Sequence, residues 1–281
     1  MKIQSKEYKY FSEIEQNEGV NEPAYNPCKI LGMSIICLNN GNFYDGKIED
    51  REALLVILSG SCTVEVNEKR YENIGERTNV FNGKPYSVFI PPKNSFKITV
   101  ASNQRTEIAI CTALSSEKSE PFLITPNQVN EVKGGALNFS RKIHQILVNT
   151  EQHVSKLIIG ETLIPSGNWS SFPPHRHAKD NLPEEVFMEE IYFFKVFPKD
   201  GFGFANYYSE ENNIEEVAKV KNNSVMFMPE GYYHTHVSAP GCQTYYIWAL
   251  AGNHRKVSPV EDPKLSWVSK SIPMLKKTQE N

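Results

Sequence analysis

The chain has 281 residues, of which 40% are hydrophobic and 22% charged, and its formal net charge is -3. These values are typical of a soluble globular protein with one large or two ordinary domains. The sequence has no block of lysine and arginine and no apolar run of the ~18 residues that a membrane helix needs, so we expect neither a nucleic-acid partner nor a membrane. It also has no signal-peptide core and no CxxC spacing among its five cysteines. We therefore expect reduced thiols in a cytoplasmic protein.

Alternating and β-branched runs predict strands along most of the chain. In chain order, these runs are residues 53–66, 87–92, 96–102, 106–114, 155–164, 191–197, 224–231 and 243–252. Gly, Asn, Pro and Asp clusters bound them at the spacing of an all-β sandwich or barrel, and helical periodicity is scarce. The polar segment 115–153 predicts the connection between two domains, residues 1–125 and 126–281.

The two halves of the chain also resemble each other. VFIPPKNSFKITVA in the first half parallels VMFMPEGYYHTHVSA in the second, which places Lys93 with Gly231 and Phe96 with His234. Small β-barrels enclose one ligand-sized cavity. We infer a duplicated barrel in which the N-terminal copy has lost its site.

Two histidines one residue apart, a glutamate and a further histidine form the strongest functional signal. His175 and His177 lie in PPHRH, Glu190 in MEEIYFF and His234 in MPEGYYHTH. Alternate residues share one face of a strand, so the first two histidines can point into the same cavity. Imidazoles with one carboxylate suit a borderline divalent metal such as Zn, Mn, Fe, Co or Ni, and leave room for a substrate oxygen.

These motifs resemble those of the cupin superfamily, which are HxH followed by Glu, and PxGxxH. The twelve residues between His177 and Glu190 exceed the gap of most cupins, and their polar composition predicts an inserted loop. The resemblance implies two cupin (jelly-roll-like) β-barrel domains in tandem, with the metal in the second. His236 competes with His234 as the last ligand, because the two share a face of an extended strand. The count back from the following Ala-Pro-Gly segment favours His234.

From GNWSSFPPHRH to YYIWALAG the sequence resembles the 5-deoxy-glucuronate isomerase family of myo-inositol catabolism. LLVILSGSCTVEV, SVFIPP and RKIHQIL extend the resemblance over nearly the whole chain. It implies a metal-dependent aldose–ketose isomerase that converts 5-deoxy-glucuronate to 5-dehydro-2-deoxygluconate, with Zn or Mn as the expected metal. Trp248 stands where many members carry Asn, which bears on the pocket wall. A homo-oligomer is also expected, because edge strands of two-domain cupins pair between subunits.

Two other functions remain open. One is another metal-dependent enzyme of the same architecture, either a dioxygenase or a uronate ketol-isomerase. The other is a cupin that binds a sugar acid without turnover. The metal ligands alone do not separate these alternatives.

The implied reaction assigns roles beyond the metal ligands His175, His177, Glu190 and His234. Tyr192 should face the cavity as a hydrogen-bond donor or proton relay, or else be a core aromatic with a satisfied hydroxyl. Glu189 points away from the cavity in a regular strand, and a bulge would turn it inward as the base. Arg141 is expected to meet the substrate carboxylate.

Several further residues have more than one interpretation. Arg176 should turn outward into a salt bridge, whereas His144 either holds the sugar or is a satisfied core histidine. His153 and His254 are expected at the surface. The acidic segment 183–185 predicts a solvated loop, with a lid over the metal site as the alternative.

Overall fold

The computed structural model describes residues 9–100, 103–148 and 153–279. The ends of the chain lie outside these ranges, as do residues 101–102 of the expected strand 96–102 and residues 149–152 of the expected connection. The described residues are mainly β-strand, which confirms the predicted all-β fold. None of the described helices is long and apolar enough to cross a membrane.

The first half of the chain contains strands that follow one another at short intervals. They are β1 (Phe11–Glu13), β2 (Gly19–Asn21), β3 (Leu31–Leu38), β4 (Phe43–Ile48), β5 (Arg51–Ser59), β6 (Cys62–Val66), β7 (Lys69–Ile74), β8 (Ser87–Ile90), β9 (Asn94–Thr99), β10 (Thr106–Leu114) and β11 (Phe122–Ile124).

The second half repeats this pattern with longer strands. They are β12 (Asn130–Gly134), β13 (Arg141–Leu147), β14 (Ile158–Ile164), β15 (Trp169–Arg176), β16 (Met188–Phe197), β17 (Gly203–Ser209), β18 (Ile214–Val220), β19 (Ser224–Met228), β20 (Tyr233–Ser238), β21 (Gln243–Gly252) and β22 (Val260–Glu261). Two 3-10 turns, Pro126–Gln128 and Leu137–Phe139, precede β12 and β13, and helix α1 (Trp267–Gln279) follows β22.

Each half forms two antiparallel sheets. The first half gives the orders β11-β8-β5-β10-β3-β2 and β4-β9-β6-β7, and the second gives β1-β19-β16-β21-β14-β13-β12 and β18-β17-β20-β15-β22. Segment 115–153 is therefore not a plain connection, because β11 completes one half while β12 and β13 extend the other. Near residue 125 the strands change sheets, with β11 in the first half and β12 in the second, but β1 pairs with β19 of the second half.

The two largest sheets pack against each other across the middle of the molecule. Their shared core joins Leu54 and Phe89 of the first half to Ile191, Phe193 and Phe227 of the second. Apolar side chains of this kind are buried from both sides and hold the halves together.

The interior of the first half is filled with its own apolar side chains. Val64, Phe96 and Ile98 belong to this cluster, and all three are buried. Phe96, which the sequence aligns with His234, thus packs in an apolar core and offers no ligand atom. The alignment also agrees with the backbone, since Lys93 (φ 63°) and Gly231 (φ 62°) share the left-handed conformation.

Candidate metal centre and active site

The second half brings together three of the four residues predicted to ligate a metal. His177 Nε2 lies 2.9 Å from Glu190 Oε2, and His234 Nε2 lies 3.6 Å from the same oxygen. Ligand atoms of these three residues all lie within 4.8 Å of one another, and the three residues are the one such cluster found among the described residues. The fourth residue, His175, lines a cavity that His177 and Glu190 also line, and its ring centroid is 4.6 Å from that of His234.

Strand pairing explains why these residues meet. His175 in β15 is the direct Cα partner of His234 in β20. His177, just beyond β15, is held between the Gly231 turn and β16: its N–H donates to Gly231 O at 2.8 Å, and Met188 N–H donates to its carbonyl at 3.0 Å. The long insertion between His177 and Glu190 therefore leaves β16 in register with the site.

Gly231 leaves the space that His177 occupies. A Cβ at this position would lie 2.4 Å from His177 O and 2.7 Å from His177 Nδ1, and the backbone there is left-handed. Only glycine adopts this conformation without steric cost and also permits such close contact. The glycine of the PxGxxH motif thus fixes the position of a second motif's histidine.

The electrostatics of the cluster fit a bound cation. Burial, followed by the neighbouring His177, lowers the pKa of His175 to about 3, and burial lowers the pKa of His234 well below its ordinary value. The imidazoles of His175 and His234 are therefore neutral at physiological pH, and no lysine or arginine forms an ion pair with Glu190, which is 4% exposed, among the described residues. A buried carboxylate without a counter-charge is unfavourable, and a divalent ion would supply one.

Hydrogen bonds also orient the imidazoles for metal ligation. His177 Nδ1 lies 2.6 Å from Met188 O, and His234 Nδ1 lies 3.1 Å from Tyr232 O. Since a carbonyl accepts only, both Nδ1 atoms carry a proton, which leaves Nε2 of each ring, the nitrogen nearer Glu190, as the atom that would ligate a metal. Fixing the tautomer through the far nitrogen is the usual arrangement of ligating histidines.

Tyr192 lies beside the cluster, as predicted from its position two residues after Glu190. Its hydroxyl oxygen lies 3.0 Å from His234 Nε2. Burial, followed by the Glu190 charge, raises the pKa of Tyr192 well above its ordinary value, so the phenol stays protonated. Tyr192 is a core aromatic and a cavity residue together, since it packs among buried aromatics and also lines the cavity.

An irregularity in β15 adds hydroxyl groups that the sequence reasoning missed. Ser170 pairs with His236 and His175 with His234, so the intervening residues bulge out of the ladder. Within this bulge Ser171 has φ 51°, and Ser170 Oγ lies 2.6 Å from the hydroxyl of Tyr246. The Ser-Ser pair before PPHRH was the available signal, but serine pairs alone carry no recognisable chemistry.

The cavity has a volume of about 280 Å³. This is close to the lower limit of roughly 300 Å³ for ligand pockets and suits a small metabolite. Arg141 enters it from β13, where Nη1 donates to Phe139 O at 3.3 Å. Burial lowers the pKa of its guanidinium, and no ion pair joins it to an acidic group among the described residues. Arg141 is therefore a cation in the cavity wall without an acidic partner among the described residues.

Glu189 does not reach the cavity, which corrects its assignment as the base. Strand β16 keeps one register with β21 from Met188 to Phe197, so no bulge turns the side chain inward. Its carboxylate instead accepts the backbone N–H groups of Lys29, Ile30 and Leu31 at 2.7–2.9 Å. Glu189 thus joins the two halves of the chain.

His144 belongs to a buried network rather than to the cavity. Its Nδ1 lies 2.7 Å from Glu161 Oε1 and its Nε2 lies 3.1 Å from Glu131 Oε2. Arg77 of the first half donates to the same Glu161 at 2.9 Å, so the network crosses between the halves. Burial opposes ionisation of Glu161, but the charge of Arg77 and the bond from His144 outweigh it and lower its pKa.

The remaining predicted residues lie outside the cavity. Arg176 turns outward and pairs with Glu185 at 3.3 Å, so the acidic segment 183–185 includes one buried carboxylate and is not wholly solvated. His153 and His254 are exposed, as expected. His236 is 1% exposed, and its ring nitrogens have no hydrogen-bond partner among the described residues.

Known proteins match both halves of the chain. The sequence profile of the KduI/IolB family matches residues 11–268. The 5-deoxy-glucuronate isomerase of Geobacillus kaustophilus is 35% identical over 242 residues, which cover 86% of this chain and 86% of the relative. The enzyme of the same name from Bacillus subtilis strain 168 is 36% identical over 238 residues, which cover 84% of this chain and 86% of the relative.

Solved structures extend the comparison to the fold. An IolB-like protein from Salmonella typhimurium LT2 superposes with a TM-score of 0.87 at 25% identity, over 93% of this chain and 100% of the other. An oxalate decarboxylase from Lactobacillus farciminis superposes with a TM-score of 0.67 at 10% identity, over 95% of this chain and 92% of the other, which shows a common fold alone.

Proposed function

Because the chain belongs to the KduI/IolB family, we propose that it isomerises 5-deoxy-glucuronate to 5-dehydro-2-deoxygluconate, a step of myo-inositol catabolism. One observation in particular supports this function. The cavity that Arg141 lines is also lined by His175, His177 and Glu190, and the buried His234 completes their cluster. A sugar acid has the two groups that such a cavity recognises, a carbonyl at one end and a carboxylate at the other.

We propose that His175, His177, Glu190 and His234 hold a divalent metal, with Zn or Mn as the first candidates. Three imidazoles and one carboxylate form a donor set of borderline hardness that also suits Fe, Co and Ni. When bound, the metal supplies Lewis-acid polarisation of the substrate carbonyl.

The reaction needs a hydrogen moved from C2 to C1 and another moved from O2 to O1, without an external oxidant or reductant. The Tyr192 phenol, protonated and 3.0 Å from His234, is placed to donate a hydrogen bond to a substrate oxygen beside the cluster. Such a donor stabilises negative charge that develops on that oxygen. With Glu189 turned away, the proton acceptor must be sought among groups that line the cavity.

Arg141 is proposed to bind the substrate carboxylate. A guanidinium forms two parallel hydrogen bonds with a carboxylate, which fixes direction as well as position. With the carboxylate held there, the aldehyde end of a six-carbon chain points toward the histidines. Positioning of this kind supplies a large part of the rate enhancement in reactions of weak carbon acids.

Two further properties belong to the same proposal. We place the enzyme in the cytoplasm, which is supported by five free cysteines, four of them buried. We also propose a homo-oligomer, since β12 forms an exposed edge of the seven-stranded sheet. Light scattering on the purified protein tests the second statement.

Incubation of the metal-loaded protein with 5-deoxy-glucuronate under anaerobic conditions tests the function. We expect loss of the aldehyde proton signal and growth of the product's CH2OH signals by NMR. The same protein in air should consume no oxygen. Oxygen uptake without isomerisation would favour a dioxygenase, and binding without turnover would favour a non-catalytic sugar-acid cupin.

A further inference from the structure

The ring of Trp248 packs directly against Gly160 in the wall of the cavity. In the large sheet, Trp248 of β21 lies between its Cα partners Tyr192 of β16 and Gly160 of β14. A Cβ on Gly160 would lie 2.2 Å from Cζ2 of the Trp248 ring. The ring therefore occupies the space that any other residue at position 160 would fill.

The polar atoms around this ring already have partners. The indole Nε1–H of Trp248 donates to Thr162 Oγ1 at 3.2 Å. The neighbouring hydroxyl of Tyr246 lies 2.6 Å from Ser170 Oγ. Ile143, the Cα partner of Thr162 on β13, adds an apolar side chain to the same surface. We call Ile143, Thr162 and Trp248 the floor of the cavity.

The floor lies between the two groups proposed to bind the ends of the substrate. Glu190 stands on β16, and Arg141 stands on β13 at the other side of the sheet. A path between them crosses β21 and β14, where Trp248 and Thr162 point into the cavity. The carbon next to a carboxylate bound at Arg141 must therefore rest on this floor.

We infer that Trp248, seated on Gly160, makes the enzyme select a sugar acid with a methylene group next to its carboxylate over the same acid with a hydroxyl there. This inference rests on the proposed function and specifies how its substrate is chosen. The floor gives a CH2 group apolar contact with Ile143 and Trp248, whereas the one polar group that it offers a hydroxyl, Thr162 Oγ1, already accepts the indole N–H of Trp248.

The expected size of this selection follows from the cost of an unpaired hydroxyl. A polar group buried without a hydrogen bond loses the partners that it had in water. Such a loss weakens binding by a factor of about 10 to 100. Glucuronate, which carries the extra hydroxyl at C5, is the matched probe for 5-deoxy-glucuronate.

The test compares the wild type with Trp248→Asn, which places an amide on the floor. We would measure the steady-state kinetics of the deoxy substrate and its inhibition by glucuronate, with metal content as a check on the site. We expect Trp248→Asn to strengthen glucuronate inhibition at least ~10-fold relative to any change in binding of the deoxy substrate. The control is Trp267→Asn at the exposed start of α1, which should leave both properties unchanged.

A second variant keeps the test decisive if Trp248→Asn does not fold. In Gly160→Ala, the new Cβ would lie 2.2 Å from Cζ2 of Trp248 and 2.6 Å from the backbone oxygen of His144, so the indole ring must move into the cavity and the neighbouring strand must also shift. We expect the catalytic efficiency toward the deoxy substrate to fall at least ~10-fold with the metal retained, and to recover in part when the ring is shortened by Trp248→Leu.

The outcomes separate this inference from the function on which it rests. If the wild type does not isomerise 5-deoxy-glucuronate, the proposed function is wrong. If it does, and the ratio of glucuronate inhibition to deoxy-substrate binding is the same in the wild type and in Trp248→Asn, the floor does not select the substrate. Normal turnover in Gly160→Ala would likewise overturn the inference while leaving the isomerase assignment in place.

Discussion

Glu52 and Glu189 occupy equivalent positions in the two halves, and each binds three backbone amides of the other half. Glu52 of β5 accepts the N–H groups of residues 155–157 at 2.7–3.0 Å. Glu189 of β16 accepts those of residues 29–31 at 2.7–2.9 Å. Both carboxylates are buried, so the two halves are joined by a reciprocal pair of charge-assisted contacts.

This pair predicts matched effects of mutation. Glu52→Gln and Glu189→Gln each replace one accepting oxygen by an NH2 group that faces other donors. We expect each change to lower the free energy of unfolding by about 3 kcal/mol, because hydrogen bonds to a buried charge are strong and the amides stay buried. Urea denaturation measures the loss.

Activity distinguishes this structural role from a catalytic one. Folded, metal-loaded Glu189→Gln should keep the wild-type kcat, as should Glu52→Gln, which lies in the half without the cluster. A large fall in kcat in Glu189→Gln alone, at unchanged stability, would restore Glu189 as the base.

The equivalence of Glu52 and Glu189 also shows which differences between the two halves could be predicted from the sequence. The strand register pairs Ala53 with Ile90 and Glu190 with Met228. Ile90 and Met228 are equivalent, because each directly precedes one of the aligned prolines, Pro91 and Pro229. The first half thus carries Ala53 where the second carries Glu190. The sequence alone places Phe96 with His234, because Pro91 and Pro229 begin the aligned turns five residues before them. It does not identify Ala53, because no motif surrounds that residue.

The fold and the cluster were predictable because period-two strands and motif spacing are local properties of the sequence. The contacts of Glu189 and the network of His144 were not, since each includes residues of the other half of the chain: residues 29–31 for Glu189, and Arg77, which shares Glu161 with His144. The cavity bulge at Ser171 also escaped prediction, because a left-handed serine has no sequence signal of its own.

Removal of a metal ligand should empty the site. In His177→Ala the cluster loses an imidazole whose Nε2 lies 2.9 Å from Glu190, and the cavity has no group to replace it. We expect metal content and activity to fall together, each by at least ~10-fold. Elemental analysis of the purified protein measures the metal.

His153→Ala is the matched control for this experiment. His153 is exposed, pairs with Glu117 at 2.6 Å and is not among the residues that line the cavity. It should retain both metal and activity. Full metal occupancy in His177→Ala would contradict the ligand assignment.

Arg141 should act on substrate binding more than on the metal. Arg141→Gln removes the cation proposed to bind the carboxylate, and we expect kcat/KM to fall about 100-fold, which corresponds to about 3 kcal/mol. Lys142→Gln, at an exposed neighbouring position, should have little effect. Steady-state kinetics with metal-loaded protein measures both. Equal kinetics in wild type and Arg141→Gln would place the substrate carboxylate elsewhere.

His236 should make stability depend on pH without binding the metal. Burial lowers its pKa from 6.5 to about 3. Between these values the unfolded chain holds a proton that the folded chain does not, so stability falls as the pH falls. The contribution is about 1.4 kcal/mol per pH unit. In His236→Phe this contribution disappears, and the ring still packs between Tyr192 and Tyr246.

Urea unfolding of both metal-free proteins between about pH 6 and about pH 4 measures the difference, because the other buried histidines are common to the two. We expect the wild type to lose stability more steeply, and His236→Phe to bind metal as fully as the wild type does. Parallel curves would mean that His236 keeps an ordinary pKa in the folded protein. Loss of metal from His236→Phe would make His236 a ligand and reverse the choice of His234 that the PxGxxH turn predicts.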